Sequence, residues 1–412
     1  MLRSLFTGLT GLRSSQLGMD VIGNNIANVN TVGFKGSRAT FKETLLQTIR
    51  SASSGGTDTG GINPMQVGLG VTVGSVDRNV MQGVPQITNR ETDFAIEGNG
   101  LFILEDGSGR YYSRAGNFDV DNSGYLVSAF NGYRVQGVMA VDGSIPAAAA
   151  LADIRIPYDT VLAPSATTQL EFGGNLNAGA GVGDTYETGV DIYDDKGGST
   201  ALTVTFLKTD SDMWDVSLDV ATGTDPTGFE TLRFNADTGL ISGTSSFNFN
   251  WTPYGASTPL TLALDFGTAG QADGITQFST TASATVSDRD GYTSASLQRF
   301  AVAEDGVFTG IFSNGEQRAL AQVYLANFNN PAGLDDLGGG LFLESANSGL
   351  AVIGPAGAGA NGAILQGTLE MSNVDLAEEF TNMIVTQRAY QANARVISTA
   401  EDLLTELMNL KR

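Results

Sequence analysis

Leu2, Leu5, Leu9, Leu12, Gln16, Met19, Gly23 and Ile26 follow one another at alternating spacings of three and four, and six of the eight are apolar. That rhythm predicts a coiled-coil-like seam sustained for nearly four heptads. The other end of the chain repeats it. Leu376, Phe380, Met383, Gln387, Tyr390, Ala394, Ile397, Glu401, Leu404 and Met408 keep the same spacing. A second row, Val385, Ala389, Ala392, Val396, Leu403, Leu407 and Leu410, widens the apolar face. Ser372-Asn373-Val374-Asp375 resembles a capping box, and Glu378 and Glu379 stand in the first turn. Lys411 and Arg412 close the helix with the sign its dipole prefers. A helix over 376–410 would be about 52 Å long.

Between these ends the pattern changes to β-structure. Asn-Gly or Asp-Gly pairs begin at residues 99, 106, 131, 142, 273, 290, 305, 314 and 361. Such pairs favour tight hairpin turns, because both central residues of a type I′ turn need positive φ. Residues 202–206, 216–220 and 262–266 alternate apolar and polar side chains with the period of half-buried strands. Pro146 with the run 147–150, and the Ser/Thr-rich stretch 279–287, mark soft boundaries, so residues 145–285 are expected to form an inserted domain. Residues 51–61 read as a flexible connection. The expected fold class is therefore α+β and multidomain. N- and C-terminal helices (1–30 and 372–412) pair as a coiled coil, and 31–71 connects. A β-rich domain spans 72–144 and 286–371, and 145–285 is inserted as an outer β-domain. Neither terminal helix can bury a wide apolar face on its own. The helices form either an intramolecular stalk or a core made by assembly with neighbouring copies.

Composition narrows the function. The 412 residues contain no Cys and no His. Disulfides, thiolate nucleophiles and cysteine zinc sites are excluded, and so are the usual histidine bases and triads. Carboxylate, Lys or Tyr chemistry stays open. The net charge is −22, a poor match for a phosphate backbone, so no nucleic-acid partner is expected. Residues 1–50 carry +4 and 371–412 carry −2, which leaves −24 on the middle. No stretch reaches the 18 apolar residues of a membrane span, and residues 1–30 lack the apolar block of a secretory signal.

Candidate chemical sites are sparse. Asp119–Gly124 starts like a calcium loop, but its twelfth position is Phe130 where a bidentate Glu is required. A hairpin turn is the competing reading. Asp194-Asp195 and Asp288/Asp290 offer paired carboxylates of a kind common in acidic turns. No nucleophile–base constellation can be assembled, so no enzyme, cofactor or metal site is expected.

The most unusual stretch is Asn24-Asn25-Ile26-Ala27-Asn28-Val29-Asn30-Thr31-Val32-Gly33-Phe34-Lys35. A helix C-terminus accounts for Asn30 and Gly33 but not for Asn24 and Asn25, which precede further helical positions. With the preceding Met19–Gly23, this stretch resembles the bacterial flagellar rod–hook axial protein family. Two further segments carry the resemblance: Asp93–Phe102 continuing through Tyr112–Phe118 to Val135-Gln136-Gly137, and Gln366–Leu376 running into Gln387-Arg388-Ala389-Tyr390-Gln391-Ala392-Asn393. They cover roughly residues 1–140 and 285–412 in a shared order.

The resemblance implies a family motif at Asn24, Asn25, Ala27, Asn28, Gly33, Phe34, Lys35, Ser372, Asn373, Asp375, Gln387 and Arg388. It implies a self-polymerising tubular assembly protein, and the candidate 145–285 insert resembles that of hook-forming members. A distal rod role, a β-rich surface adhesin and an acidic hydrolase are the alternatives. Further implications are a bendable joint between rod and filament, rod, hook-cap and hook–filament junction partners, and type III export without a cleaved signal to an extracellular hook. Together with the apolar rows, it marks Leu2, Leu5, Leu9, Leu12, Met19, Ile26, Leu376, Phe380, Met383, Tyr390, Ile397, Leu404 and Met408 as the polymerisation interface. The terminal segments are expected to be largely disordered in the free subunit, where those rows lack partners.

Overall fold

The computed structural model describes residues 2–52, 54–55, 60–147, 149–158, 161–221, 229–253 and 259–410. The side chains of Leu2, Leu407 and Leu410 lie outside that description, as do Lys411 and Arg412 and part of the 51–61 connection. The chain is β-rich, with one helix at each end: α1 (Leu2–Ala27) and α2 (Leu376–Leu410). It divides into two compact units. The first is Met1–Ile156 with Phe300–Gly310 and Arg318–Arg412; the second is Pro157–Arg299 with Ile311–Gln317.

Asp375 starts α2. Its Oδ1 accepts hydrogen bonds from the backbone amides of Ala377 (2.8 Å) and Glu378 (3.3 Å), and the acids at 378 and 379 follow in the first turn. The cap thus lies three residues later than the Ser372–Asp375 box suggested. Ser372 instead accepts from the Val374 amide and is buried.

α1 and α2 lie antiparallel, with Gly8 beside Ile397, Gly11 beside Asn393, Gly18 beside Thr386, and Asn25 bonded to Glu379. The face that α1 turns inward is not its leucine row. Gly8, Gly11, Ser14, Ser15, Gly18 and Asn25 are the buried positions. Leu5, Leu12, Met19 and Ile26 are half-buried, while Leu9 is exposed. The reason is distance: a Cβ on Gly11 would sit 2.6 Å from Asn393 Nδ2, and one on Gly8 would sit 3.0 Å from Ile397 Cγ1. Small residues bring the axes close, so bulkier ones are displaced to the flanks and the outside. On α2 the inward positions include Met383, Asn393, Ile397, Ala400 and Leu404. Leu376, Phe380, Ile384 and Met408 remain exposed, Phe380 by 51%.

Residues 31–71 hold more order than a linker. Ser37–Glu43 pairs antiparallel with Val71–Arg78, and Leu46–Arg50 pairs with Met65–Gly68. The resulting arm exposes Leu45, Leu46, Ile49, Ile62 and Met65.

The rest of the first unit is built on a sheet in which Arg134–Met139 pairs with both Leu101–Glu105 and Gln317–Asn327, and Leu101–Glu105 pairs with Arg110–Ser113. Rings of Phe94, Phe102, Phe118 and Phe308 interlock in its core at centroid distances of 5.0–6.1 Å. Edge-to-face and tilted contacts of this kind add to the area that the rings bury. Residues 152–156 join this unit: Ile154 and Ile156 are fully buried, and their amides donate to Val135 and Gly124.

In the second unit, four strands from Thr185 to Arg233 form one antiparallel sheet. A second sheet groups Gln169–Asn177 with Ser246–Trp251, Leu260–Asp265, Ile275–Phe278 and Thr285–Arg289. Leu202, Val204, Phe206, Trp214, Val216 and Leu218 from one sheet share a core with Phe172, Phe249, Trp251, Leu262 and Phe266 from the other. Burial alternates along Ser199–Asp210, Met213–Val220 and Ser246–Trp251, and the two sheets face each other across this core as a β-sandwich.

Of the expected turns, Asp142-Gly143 is a type I′ hairpin with φ +52° and +78°, closed by the Val141–Ser144 bridge. Gly274 has a different role. A Cβ there would meet the Phe266 carbonyl oxygen at 2.0 Å, so close backbone approach, not positive φ, requires the glycine.

The acidic clusters are turn builders. Asp121 Oδ1 accepts from the amides of Ser123 and Tyr125 in the Asp119–Gly124 turn. Asp194 Oδ1 accepts from Lys196 and Gly198, and Asp290 Oδ1 accepts from Thr168 and Gln169. Among the described residues no group of three His, Cys, Asp or Glu is placed to hold a metal.

Candidate functional site: the junction of the chain ends

α1 ends where the Asn-rich motif begins to bond. Asn25 is buried, and its Nδ2 donates to the Ser37 carbonyl (2.7 Å) and to Glu379 Oε1 (2.8 Å). Its Oδ1 accepts from the Ser37 amide (2.9 Å). One amide thus ties α1 to α2 and to the first strand of the arm, which explains an Asn inside the helix. Asn28 donates to the Asn24 carbonyl and side chain and accepts from Thr31 Oγ1, so it winds up the last turn. Ala27 is exposed and Phe34 half-buried. Gly33 has φ +69° and donates its amide to the Glu370 carbonyl at 2.8 Å; a Cβ there would lie 2.8 Å from the Ala115 amide nitrogen.

Behind Gly33 lies a buried ionic trio. Glu370, with a side chain 1% exposed, accepts from Lys35 Nζ (2.6 Å) and the Gly83 amide (2.7 Å) on Oε1, and from Arg114 Nε (2.5 Å) on Oε2. Lys35 donates again to the Met81 carbonyl, and Arg114 donates to the carbonyls of Ile96, Gly98 and Gly100. Every charged group is therefore both paired and hydrogen-bonded, which burial of charge requires. Burial presses on Glu370 toward neutrality. The Arg114 charge, the Gly83 amide and Lys35 outweigh it and hold the carboxyl below its ordinary range. Lys35 is pushed down by burial, and the Glu370 carboxylate offsets that only in part.

Asn373 completes the junction. Its Oδ1 accepts from the Gly36 amide (2.9 Å), and its Nδ2 donates to the carbonyls of Asn79 and Met81. The three motif segments, far apart in sequence, therefore meet at one place: 25–36, 93–116 and 366–375 all touch the trio or its neighbours. Gln387 and Arg388 do not join them; they lie on the exposed face of α2. Glu370, Arg114 and Gly83 are the residues that sequence reasoning passed over. Glu370 and Arg114 lie within the segments that carry the resemblance, and their available signal was a lone charge inside a run of small or apolar residues, as in Thr368-Leu369-Glu370-Met371 and Ser113-Arg114-Ala115; Gly83 gave none.

Beside the junction, α1, the arm and the start of α2 enclose a groove of about 700 Å³. Val21, Ile22, Phe41, Val374 and Val385 give it an apolar lining, and Asp77, Asp375, Glu378 and Glu379 give it a negative rim. Two arginines, Arg38 and Arg78, also line it, but Arg78 is engaged with Asp336 (2.8 Å) and lies over the Phe342 ring.

Four family models match in chain order. Residues 5–35 match the flagella basal body rod protein, and 95–169 the D1 domain of the flagellar hook protein FlgE/F/G. Residues 175–292 match the D2 domain of the flagellar basal body protein FlaE, and 365–410 the C-terminal part of the flagellar basal body rod FlgEFG protein. The flagellar hook protein FlgE of Borreliella burgdorferi is 39% identical over 443 residues, covering all of both chains. That of Treponema pallidum is 35% identical over 463 residues, again covering all of both. Among solved structures, the Helicobacter pylori flagellar hook protein FlgE2 has a similar fold. Its TM-score is 0.55 at 17% identity, over 69% of this chain and 100% of that one.

Proposed function

Because the chain belongs to the flagellar hook protein family, we propose that the junction of its ends is the device that lets one subunit polymerise. The protein is a structural subunit of the bacterial flagellar hook, not an enzyme, and it works as a homopolymer together with other flagellar components. Relatives named for the hook over their full length favour this over a distal rod role.

The observation that carries the reading is the division of faces on the helix pair. Small residues pair α1 with α2 inside one subunit, which leaves Phe6, Leu9, Phe380, Ile384 and Met408 exposed. An apolar row on two long helices is unstable in water and is satisfied when copies cover it. The helices, residues 1–30 and 372–412, then act as an inner coiled-coil layer, disordered in the free subunit and folded on assembly. The arm within 31–71 makes further contacts between subunits. The β-rich domain of 72–144 and 286–371 forms a surrounding shell, and the stretch 145–285 is an inserted outer domain. Its acidic, solvated surface suits contacts that slide as a tube bends while transmitting torque. Rod, hook-cap and hook–filament junction proteins are the partners this role requires, with export of the subunit by the flagellar type III apparatus to the extracellular hook.

Electron microscopy of the concentrated full-length protein tests this. Tubes, straight or curved, are the expected result; a protein that stays monomeric at every concentration and ionic strength tried would overturn it.

A further inference from the structure

The groove beside the junction and the opposite end of the same helix pair are complementary. The groove offers an apolar floor with four carboxylates against two guanidiniums, one of them already held by Asp336. The first half of α1 offers the reverse. Residues 2–19 contain Arg3 and Arg13 and no acid, and Phe6, 64% exposed, and Leu9 stand between the arginines. At 100° per residue, positions 3, 6, 9 and 13 fall within about 120° of helical arc, on the side away from Gly8 and Gly11. Arg3 and Arg13 are about 15 Å apart along the helix. The arm reaches one edge of this face at Thr10, whose Oγ1 accepts from the Val71 amide, but both arginines are exposed, as are the two apolar side chains between them.

We propose that the first half of α1 of a second copy of this chain occupies the groove. Phe6 and Leu9 lie on Val21, Val374 and Val385, and Arg3 and Arg13 face the Asp77, Asp375 and Glu378 carboxylates. The inference rests on the hook-subunit reading and gives it a specific contact. The two surfaces are different and sit at opposite ends of one helix pair. The contact is therefore heterologous: it does not close as a two-fold dimer but repeats as an open row, the geometry a helical tube needs. Opposed charge sets the register, since a like-charge alignment of the same surfaces is repulsive.

The absence of cysteine makes the test clean, because an introduced thiol is the only one in the chain. Phe6→Cys and Val385→Cys subunits are mixed, polymerised and oxidised. The expected product is a disulfide-linked dimer that forms in the mixture and in neither variant alone. A charge exchange gives an independent reading. Arg13→Glu should raise the critical concentration for tubes at least about tenfold, as should Glu378→Arg, and the double variant should restore it. Normal tubes with no mixed dimer and no rescue would overturn the inference while leaving the hook reading intact. So would cross-linking of Val385→Cys to Ile62→Cys on the arm in place of Phe6→Cys, because the arm would then be the occupant. Wild-type protein that forms no tubes at all would overturn both.

Discussion

Glu370 and Lys35 are 335 residues apart in the chain and 2.6 Å apart in space. Their contact, with Arg114 on the other carboxylate oxygen, fastens the end of α1 and the approach to α2 to the same strands. The two ends of the chain therefore share one anchor.

Glu370→Ala leaves two cations buried without a counter-charge, and should destabilise the first unit by about 3–5 kcal/mol. Both tryptophans, Trp214 and Trp251, are buried in the second unit. Hydrogen exchange of Leu101–Glu105 should therefore accelerate, while the urea midpoint of tryptophan fluorescence stays where it is. An equal shift of both signals would show that the trio does not act locally.

The same carboxylate sets a pH dependence. Its folded pKa lies below the unfolded value of about 4.3, so its contribution is complete above that value. It is lost as pH falls through the lowered folded value, because the unfolded chain takes up the proton first. Protection of the first unit should fall in that acid window. In Glu370→Gln it should start lower and decline less steeply; an unchanged slope would contradict the assignment.

Leu9→Asp and Ile397→Asp should both abolish tubes while tryptophan fluorescence and the β-sheet circular dichroism stay native. Leu9 acts through the outward face, and Ile397 through its contact with Gly8 inside the pair. Normal tubes from either variant would refute the corresponding face.

Gly11→Leu places a side chain where a Cβ alone already lies 2.6 Å from Asn393 Nδ2. Overpacking of this kind costs about 1–3 kcal/mol. The critical concentration for tubes should rise roughly tenfold or more, and a change to Ala at Asn393 should recover part of it. Sedimentation of tubes against subunit concentration reads both.

In the free subunit, limited proteolysis should remove residues within 1–30 and 376–410 before it cuts either β-unit, and polymerisation should protect them. Termini as resistant as the β-core in the monomer would show that they fold without neighbours.

Much of this was legible in the residues themselves. Period-two runs such as 202–206 and 216–220 became sandwich strands because alternation along a strand has one interpretation once one face is buried. The extents of α1 and α2 followed from the 3/4 spacing. The face of α1 did not. A period says how often apolar side chains recur, whereas the buried side is chosen by how closely the partner backbone can approach. Gly8, Gly11 and Gly18 permit that approach, although hydropathy scores them as nearly neutral. The anchor was only half visible for a similar reason. Lys35 and Asn25 stood out within an unusual motif, but Glu370 and Arg114 are single charges whose meaning depends on partners hundreds of residues away.

What the sequence by itself determined is the alphabet of the elements, helices at the ends and strands between, together with the exclusion of cysteine and histidine chemistry. Local periodicity and side-chain inventory carry that information without reference to any contact. Only the tertiary structure decided which face of α1 is internal, where the two units divide, and that Lys35, Arg114 and Glu370 form one buried trio. Those outcomes depend on distances between segments, and charge burial is tolerated only where all the partners arrive together.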